Sequence, residues 1–292
     1  MTQTPFSSPT SRFVTARDGL RLHYLDYANP AADRLPLVCL HGLARSADDF
    51  VRVAEAARQE GRRVIAVDYR GRGRSEWDKD WKNYTLDIEQ DDIFTVLRDA
   101  GIDEAVFLGT SRGGMHTMRL AAARPGLVRA AIFNDIGPKI ENDGLLRIKR
   151  YVGKLPPINS MREAVALMRM TAASQFSGVN PDEWEVYAEH TFVEKDGKVT
   201  LRYDPELTHT LDEFQPGVEP ENLWDEFDAM KERPMLAIRG ENSDIFSVET
   251  MAEMARRAPL YEGHTVMGQA HAPLLLDRPT IDRILAFLRK CP

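Results

Sequence analysis

The sequence predicts an α/β fold with a mostly parallel, doubly wound sheet, and two observations carry that prediction. First, short apolar runs alternate with segments of helical periodicity along most of the 292 residues. Strands that alternate with helices form parallel sheets whose two faces are both covered. Second, this alternation stops between residues 138 and 224 and resumes afterwards, which indicates an inserted segment. With 43% hydrophobic residues, the chain has enough apolar material for a substantial core.

The predicted strands are apolar runs that end in Gly, Asp or Ser. Their sequences are LRLHYLDY, LPLVCLHG, RRVIAVDYRG, EAVFLGTS, LVRAAIFNDIG, RPMLAIRGENSD and HTVMGQAH. The predicted helices have apolar residues at a spacing of three and four, which forms a single stripe. These stripes are Ile93, Val96, Leu97 and Ala100, then Met251, Met254, Ala255 and Ala258, and finally Ile281, Ile284, Leu285 and Leu288.

Residues 138–224 are the predicted lid, and residues 1–137 with 225–292 are the predicted core domain. The segment is too long for an ordinary loop and has secondary structure of its own. Ser160 has capping-box spacing ahead of a helix, and the Asp-Gly pair at 196–197 predicts a hairpin. Met161 and Met168 share one face of that helix. They are candidate substrate-binding residues, although a helical methionine stripe more often packs the lid itself.

The hexapeptide GTSRGG, residues 109–114, follows a predicted strand and precedes a predicted helix. It fits the pattern G-x-S-x-G, in which a serine occupies a sharp strand-to-helix turn. Small flanking residues are needed because such a turn brings neighbouring backbone close. The turn lifts the hydroxyl of Ser111 clear of the sheet, so the sequence predicts Ser111 as a nucleophile. The alternative interpretation is a glycine-rich loop with an incidental serine.

A serine hydroxyl needs a base that takes its proton and a carboxylate that fixes the base. His271 is the predicted base because it follows the last predicted strand, whereas His116 is expected to pack beside the sheet. Asp244 is the predicted acid, since ENSD lies at a C-terminal strand edge, where ligands gather in open α/β sheets. Asp135 in FNDIG is the alternative acid, from the strand after the serine helix.

The segment CLHGLARS predicts part of an oxyanion hole. It places His41, Gly42 and Leu43 at the end of an early strand, where the glycine lets the next N–H turn towards the pocket. The second donor is the N–H of Arg112 at the start of a helix, where unpaired donors favour negative charge. Both residues act through backbone amides. Taken alone, this segment is also typical of a simple strand-ending turn.

Composition and charge exclude several classes of function. The net charge is −7 with no basic run, so nucleic acid is not an expected partner. The N-terminal residues lack the pattern of a signal sequence, and no apolar stretch approaches the roughly 18 residues that a membrane helix needs. We therefore expect no membrane partner and a cytoplasmic protein. Two cysteines, of which Cys39 is expected to be buried, indicate neither a disulfide framework nor a metal site. A homodimer is the assembly that general experience favours.

These motifs make the sequence resemble the α/β-hydrolase superfamily, from about residue 13 to the C-terminus, with the lid as the least similar part. DYRGRGRS, RGENSDIFS and GQAHAPLLLD resemble loops of its lid-bearing members. The resemblance implies an α/β-hydrolase sheet with Ser111 as nucleophile, Asp244 as acid and His271 as base. It also implies the amides of Leu43 and Arg112 as oxyanion hole. Many members have methionine or another apolar residue at position 112, so the arginine side chain is a candidate substrate-binding residue.

The function predicted from the sequence is that of a serine hydrolase. It would cleave a small or medium carboxylic ester or lactone through an acyl-enzyme, with no cofactor and no metal. Epoxide hydrolases and haloalkane dehalogenases of this fold use an aspartate at the turn, so the serine argues against both. Two alternatives stay open. One is a carbon–carbon hydrolase of a ring-cleavage diketone, in which Arg112 would bind a carboxylate, and the other is a non-catalytic ligand sensor.

Overall fold

Within residues 8–154, 158–195 and 198–292, which the computed structural model describes, the chain forms ten strands and nine α-helices. The strands are β1 (Thr10–Thr15), β2 (Arg21–Tyr27), β3 (Leu37–Leu40), β4 (Val64–Asp68), β5 (Ala105–Thr110), β6 (Val128–Asn134), β7 (Phe192–Lys195), β8 (Lys198–Leu201), β9 (Met235–Gly240) and β10 (Tyr261–Val266). The helices are α1 (Val51–Gln59), α2 (Leu86–Asp99), α3 (Arg112–Ala123), α4 (Asn142–Lys149), α5 (Met161–Ala172), α6 (Pro181–Thr191), α7 (Trp224–Asp228), α8 (Val248–Arg257) and α9 (Arg278–Leu288).

Eight strands form one sheet in the order β1-β2-β4-β3-β5-β6-β9-β10. The pairs from β4 to β10 are parallel, whereas β1 with β2 and β2 with β4 are antiparallel. The predicted mostly parallel sheet is therefore confirmed. The sequence analysis did not predict β1. Nearly all of its residues are exposed at the sheet edge, so it lacks the apolar run that marks the other strands.

Two apolar clusters cover the two faces of the sheet, as expected of a doubly wound fold. Along β3, Leu37 and Cys39 belong to one cluster, and Val38 and Leu40 belong to the other. Helices α1 and α9 contribute to the first cluster, and α2, α3 and α8 to the second. The expected burial of Cys39 is confirmed, because its side chain is inaccessible to solvent.

The chain between β6 and β9 leaves the sheet, since these two strands pair directly with each other. This inserted segment contains α4 to α7 and a hairpin of β7 and β8. Ser160 caps α5 as expected, because its hydroxyl accepts a hydrogen bond from the N–H of Glu163 at 3.2 Å. The two turn residues of the predicted hairpin, 196 and 197, lie outside the described residues, but the strands on either side pair as the hairpin requires.

Among the helices of the described residues, none combines the length and the apolar character that a bilayer span requires.

Candidate active site

Ser111 occupies a tight turn between β5 and α3. Its φ of 50° and ψ of −116° are a combination that residues other than glycine rarely adopt. Gly109 and Gly113 are required beside it because the surrounding backbone leaves no room for a Cβ atom. A Cβ on Gly109 would lie 2.4 Å from the backbone of Gly113, and a Cβ on Gly113 would lie 1.9 Å from the carbonyl oxygen of Leu40. The strained strand-to-helix turn predicted from GTSRGG is therefore confirmed.

Two hydrogen bonds join Ser111 to a buried carboxylate through a histidine. The Oγ of Ser111 lies 2.9 Å from Nε2 of His271, and Nδ1 of His271 lies 2.8 Å from Oδ2 of Asp135. Ser111 and Asp135 follow the adjacent parallel strands β5 and β6, and His271 lies in the loop after β10. An imidazole whose Nδ1–H binds a carboxylate presents a free Nε2 lone pair to the serine hydroxyl.

The acid that binds His271 is Asp135, and this corrects the prediction of Asp244. Arg147 on α4 binds both carboxylate oxygens of Asp244, with 2.8 Å between Nη2 and Oδ1. Burial acts to raise the pKa of Asp244. The hydrogen bonds and charge of Arg147 outweigh it, with a smaller contribution from His271, and hold that pKa below its ordinary value. Asp244 thus lies near His271, but Arg147 already neutralises the charge of its carboxylate.

The backbone and two further donors hold Asp135 in place. Its φ is 55°, and its side chain is inaccessible to solvent. The N–H of Gly240 donates to Oδ1 at 2.7 Å, and the hydroxyl of Ser243 donates to Oδ2 at 2.6 Å. Together with His271, three donors therefore satisfy the buried carboxylate and fix its orientation. The loop ENSD does contribute to the site, but through its serine.

The strand end at His41 is built around a neutral imidazole. Nε2 of His41 accepts a hydrogen bond from the N–H of Tyr69 at 3.3 Å, so Nδ1 carries the proton and donates to the carbonyl oxygen of Gly42 at 2.7 Å. Burial lowers the pKa of His41 to about 4, against a weaker opposing effect of Asp68. The next residue, Leu43, lines the cavity above Ser111.

The side chain of Arg112 does not reach that cavity, which corrects its prediction as a substrate-binding residue. Its Nε donates to Oε2 of Glu89 at 2.7 Å, and Nη2 donates to the carbonyl oxygen of Tyr84 at 3.3 Å. The alternative of a carbon–carbon hydrolase therefore loses Arg112 as the group that would bind a substrate carboxylate. His116 packs beside the sheet as expected, fully buried, with Nε2 2.9 Å from Glu89.

A cavity of about 460 Å³ opens above Ser111 and His271. Its walls come from the sheet loops and from the inserted segment. Met168 lines it as predicted, whereas Met161 does not and packs instead against the small core of the segment. The apolar residues of the inserted segment that line it include Ile148, Val152, Leu167, Met168, Phe176 and Phe192.

A family model described as the alpha/beta hydrolase fold matches residues 36–155. A 3-hydroxybutyrate-oligomer hydrolase from Cupriavidus necator is 32% identical over 281 residues, which cover 93% of this chain and 94% of that protein. The chain belongs to the α/β-hydrolase family. A solved α/β hydrolase from Novosphingobium aromaticivorans is 35% identical, with a TM-score of 0.90 and coverage of 98% of this chain and 100% of that one. An esterase from Mycobacterium tuberculosis is 26% identical over 247 residues, or 83% of this chain and 78% of that protein.

These relatives support hydrolase activity for this α/β hydrolase without fixing a substrate. Two polar residues around its site were not singled out from the sequence. Ser243 binds Asp135, and Asn134 donates to Oγ1 of Thr110 at 3.1 Å and to the carbonyl oxygen of Pro273 at 2.9 Å. Asn134 thereby ties the turn before Ser111 to the histidine loop. Its place directly before Asp135 at a strand end is the signal that could have identified it.

Proposed function

We propose that this α/β hydrolase cleaves small or medium carboxylic esters or lactones through an acyl-enzyme. The observation that carries the proposal is the pair of hydrogen bonds from Ser111 through His271 to Asp135, at the floor of an apolar cavity. A strained serine, an oriented imidazole and a buried carboxylate are the three groups that nucleophilic acyl transfer requires.

In the proposed reaction, Oγ of Ser111 attacks the ester carbonyl while Nε2 of His271 takes the hydroxyl proton. The tetrahedral intermediate collapses, His271 returns the proton to the leaving alcohol, and the acyl group stays on Ser111. Water then repeats the sequence with His271 as base, which releases the acid and regenerates the serine. Asp135 keeps the proton of the imidazole on Nδ1 and stabilises the imidazolium that forms.

The proposed oxyanion hole consists of the backbone amides of Leu43 and Arg112. Leu43 lines the cavity, and Arg112 is the first residue of α3, where helical N–H groups have no partner within the helix. A donor in this role stabilises the transition state by about 3 to 4 kcal/mol. We also assign residues 138–224 the role of a lid, since their apolar side chains form one wall of the cavity that contains the serine.

The charges of the cavity favour an ester that carries a free carboxylate. Among the described residues that line it, Arg45, Arg147 and Lys154 are cationic and Asp49 is anionic, although the whole chain has a net charge of −7. Asp49 is bound to Arg45, and Arg147 to Asp244. The ammonium group of Lys154 donates to the carbonyl oxygen of Lys149 at 3.2 Å and not to a carboxylate of the described residues, so its charge is available to a ligand. The name of the Cupriavidus necator relative indicates a substrate of that kind, because a hydroxybutyrate oligomer ends in a carboxylate.

The test compares three substrates, namely p-nitrophenyl butyrate, a γ-lactone and the linear dimer of 3-hydroxybutyrate. Wild type is expected to hydrolyse the aryl ester and the dimer, and Ser111→Ala is expected to hydrolyse neither while remaining folded. A Ser111→Ala variant with wild-type turnover would overturn the proposal.

Lys154→Ala tests the carboxylate preference. The variant is expected to raise KM for the dimer about two- to fivefold, the size of an exposed ion pair, and to leave KM for the uncharged aryl ester unchanged. Equal KM values for the dimer in the two proteins would remove the argument for an acidic substrate.

A further inference from the structure

A buried ion cluster lies next to the nucleophile turn, and the proposed reaction does not use it directly. Its centre is Glu89 on α2, whose side chain is inaccessible to solvent. Oε1 of Glu89 accepts from Nη1 of Arg72 at 2.7 Å, and Oε2 accepts from Nε of Arg112 at 2.7 Å. Nε2 of His116 lies 2.9 Å from the same Oε2. Arg72 is also fully buried, and the side chain of Arg112 is 13% exposed.

This cluster connects the two segments that form the proposed oxyanion hole. Nε of Arg72 donates to the carbonyl oxygen of Leu43 at 2.8 Å. An unbroken series of side-chain contacts therefore runs from Leu43 through Arg72, Glu89 and the guanidinium of Arg112 to the backbone of Arg112. Leu43 follows β3 and Arg112 follows β5, and these strands pair with Leu40 opposite Gly109. The cluster adds a side-chain connection between the two segments beyond the point where the strand pairing ends.

A contribution to stability does not explain why charged side chains occupy this buried position. Desolvating ions is costly, and well-packed apolar side chains in place of a buried ion pair are often equally or more stable. Its geometry does have a use, because oxyanion donors must lie about 2.7 to 3.1 Å from the developing charge. A displacement of about 1 Å in such a group can cost a hundredfold in rate.

The charge of the cluster has the sign that an oxyanion requires. Two guanidinium groups face one carboxylate. Burial lowers the pKa of His116, against an opposing effect of Glu89, and the charges of Arg112 and Arg72 hold the pKa of Glu89 well below its usual value despite burial. With a neutral imidazole and an ionised Glu89, the cluster carries one excess positive charge in a region of low dielectric constant.

We propose that Glu89 and Arg72 are positioning residues that, with the side chain of Arg112, hold the amides of Leu43 and Arg112 at the separation an oxyanion needs. We name this series of contacts the Glu89 bridge. The proposal rests on the proposed serine-hydrolase function. It assigns Arg112 two roles, a backbone donor to the oxyanion and a side chain that anchors the donor.

The experiment measures kcat and KM for p-nitrophenyl butyrate in Arg72→Met, Arg112→Met and the double variant. Each single substitution breaks the bridge and keeps both backbone amides. We expect kcat to fall about 10- to 100-fold, less than the loss of a donor itself, with KM changed less than about twofold. The double variant is expected to be no slower than the slower single variant, because either substitution alone already interrupts the series of contacts that connects the two amides.

Two further variants distinguish positioning from a general effect on folding. Arg112→Lys keeps a cation beside Glu89 and is expected to restore most of kcat relative to Arg112→Met. The matched control is Arg70→Met, which removes another buried arginine two residues from Arg72. The guanidinium of Arg70 binds Asp92 through Nε at 2.6 Å, so its loss is expected to lower the Tm and leave kcat near the wild-type value.

A trifluoromethyl ketone, which adds to a serine to form a tetrahedral oxyanion, provides a second readout. Its affinity is expected to fall by the same factor as kcat/KM in each bridge variant. The positioning role is refuted if folded variants keep the wild-type kcat, or if the losses in kcat multiply in the double variant. It is also refuted if a variant loses kcat without losing affinity for the ketone. If Arg72→Met does not fold, Arg112→Met and Arg112→Lys still decide the proposal.

A failure of the proposed function gives a different result. A wild-type protein that hydrolyses no ester would overturn that function and the bridge with it. An active wild-type protein with fully active bridge variants would overturn the bridge alone.

Discussion

Asp135→Asn is the substitution that most sharply tests the hydrogen bonds at Ser111. Asn is compatible with the φ of 55° at this position. Its amide oxygen can keep the bond from the N–H of Gly240, which now reaches Oδ1 at 2.7 Å. The amide nitrogen then faces His271 in place of Oδ2, and an N–H₂ group donates to Nδ1 instead of accepting from it. The imidazole proton therefore moves to Nε2, which can no longer accept the proton of Ser111.

The size of the expected effect follows from this change of tautomer. Such a substitution in a serine protease with the same three groups lowers kcat about 10⁴-fold, which corresponds to about 5 kcal/mol in the activation barrier. Asp135 is inaccessible to solvent and binds His271 directly, as the carboxylate of that protease does, so we expect a loss of similar size. The fold is expected to survive, because the substitution preserves shape and backbone.

The assay is kcat for an aryl ester in Asp135→Asn and in the matched variant Asp244→Asn. Asp244 binds Arg147 and not His271, so its substitution is expected to lower kcat less than about tenfold. That range reflects loss of one partly exposed ion pair. The reverse ranking, with Asp244→Asn slower than Asp135→Asn, would refute the assignment of the acid.

Two further predictions concern stability. Gly113→Ala is expected to lower the free energy of unfolding by about 3 kcal/mol or more, since its Cβ would meet Leu40 backbone at 1.9 Å. The check is thermal unfolding of Gly113→Ala and of the control variant Gly42→Ala, where an added Cβ would lie 3.6 Å or more from its nearest atoms. Equal Tm values in the two variants would contradict the prediction. Because the pKa of His41 is about 4 in the folded chain and about 6.5 when unfolded, the unfolded chain binds the proton first as the pH falls. Stability is therefore expected to drop by about 3 kcal/mol between pH 6.5 and 4, and urea unfolding of wild type and His41→Gln should show a smaller loss in the variant.

The sequence was sufficient to predict that Ser111 and His271 lie together, because their signals are local. GTSRGG combines a strand end, a helix start and glycines at the positions where added Cβ atoms would collide. His271 lies in a loop after the last strand, at the edge where parallel strands bring their ends together. Alternation of apolar runs and helical stripes likewise predicted the sheet, apart from an exposed edge strand that has no such pattern.

The acid could not be decided locally, because Asp135 and Asp244 follow the adjacent strands β6 and β9. Both carboxylates lie at the same edge of the sheet. The choice depends on the backbone turn at Asp135, on the hydroxyl of Ser243 and on Arg147, which lies 97 residues before Asp244 and binds it. Such tertiary contacts leave no mark in the spacing of residues around either aspartate.

The side chain of Arg112 illustrates the same limit. The notable feature in the sequence was a cation next to the nucleophile, and the pattern indicated a role in substrate binding. Its partner Glu89 lies 23 residues earlier on α2, inside a helix whose sequence pattern shows only an exposed face and an apolar stripe. The buried carboxylate, and not the position beside Ser111, decides where this guanidinium points.

The most direct test of the account is intact-mass spectrometry after exposure to a fluorophosphonate, followed by peptide mapping. An activated serine should give one adduct, mapped to Ser111, that is absent in Ser111→Ala and forms far more slowly in Asp135→Asn. A folded wild-type protein that forms no adduct, or one that reacts at another residue, would contradict the assignment of Ser111 as the nucleophile.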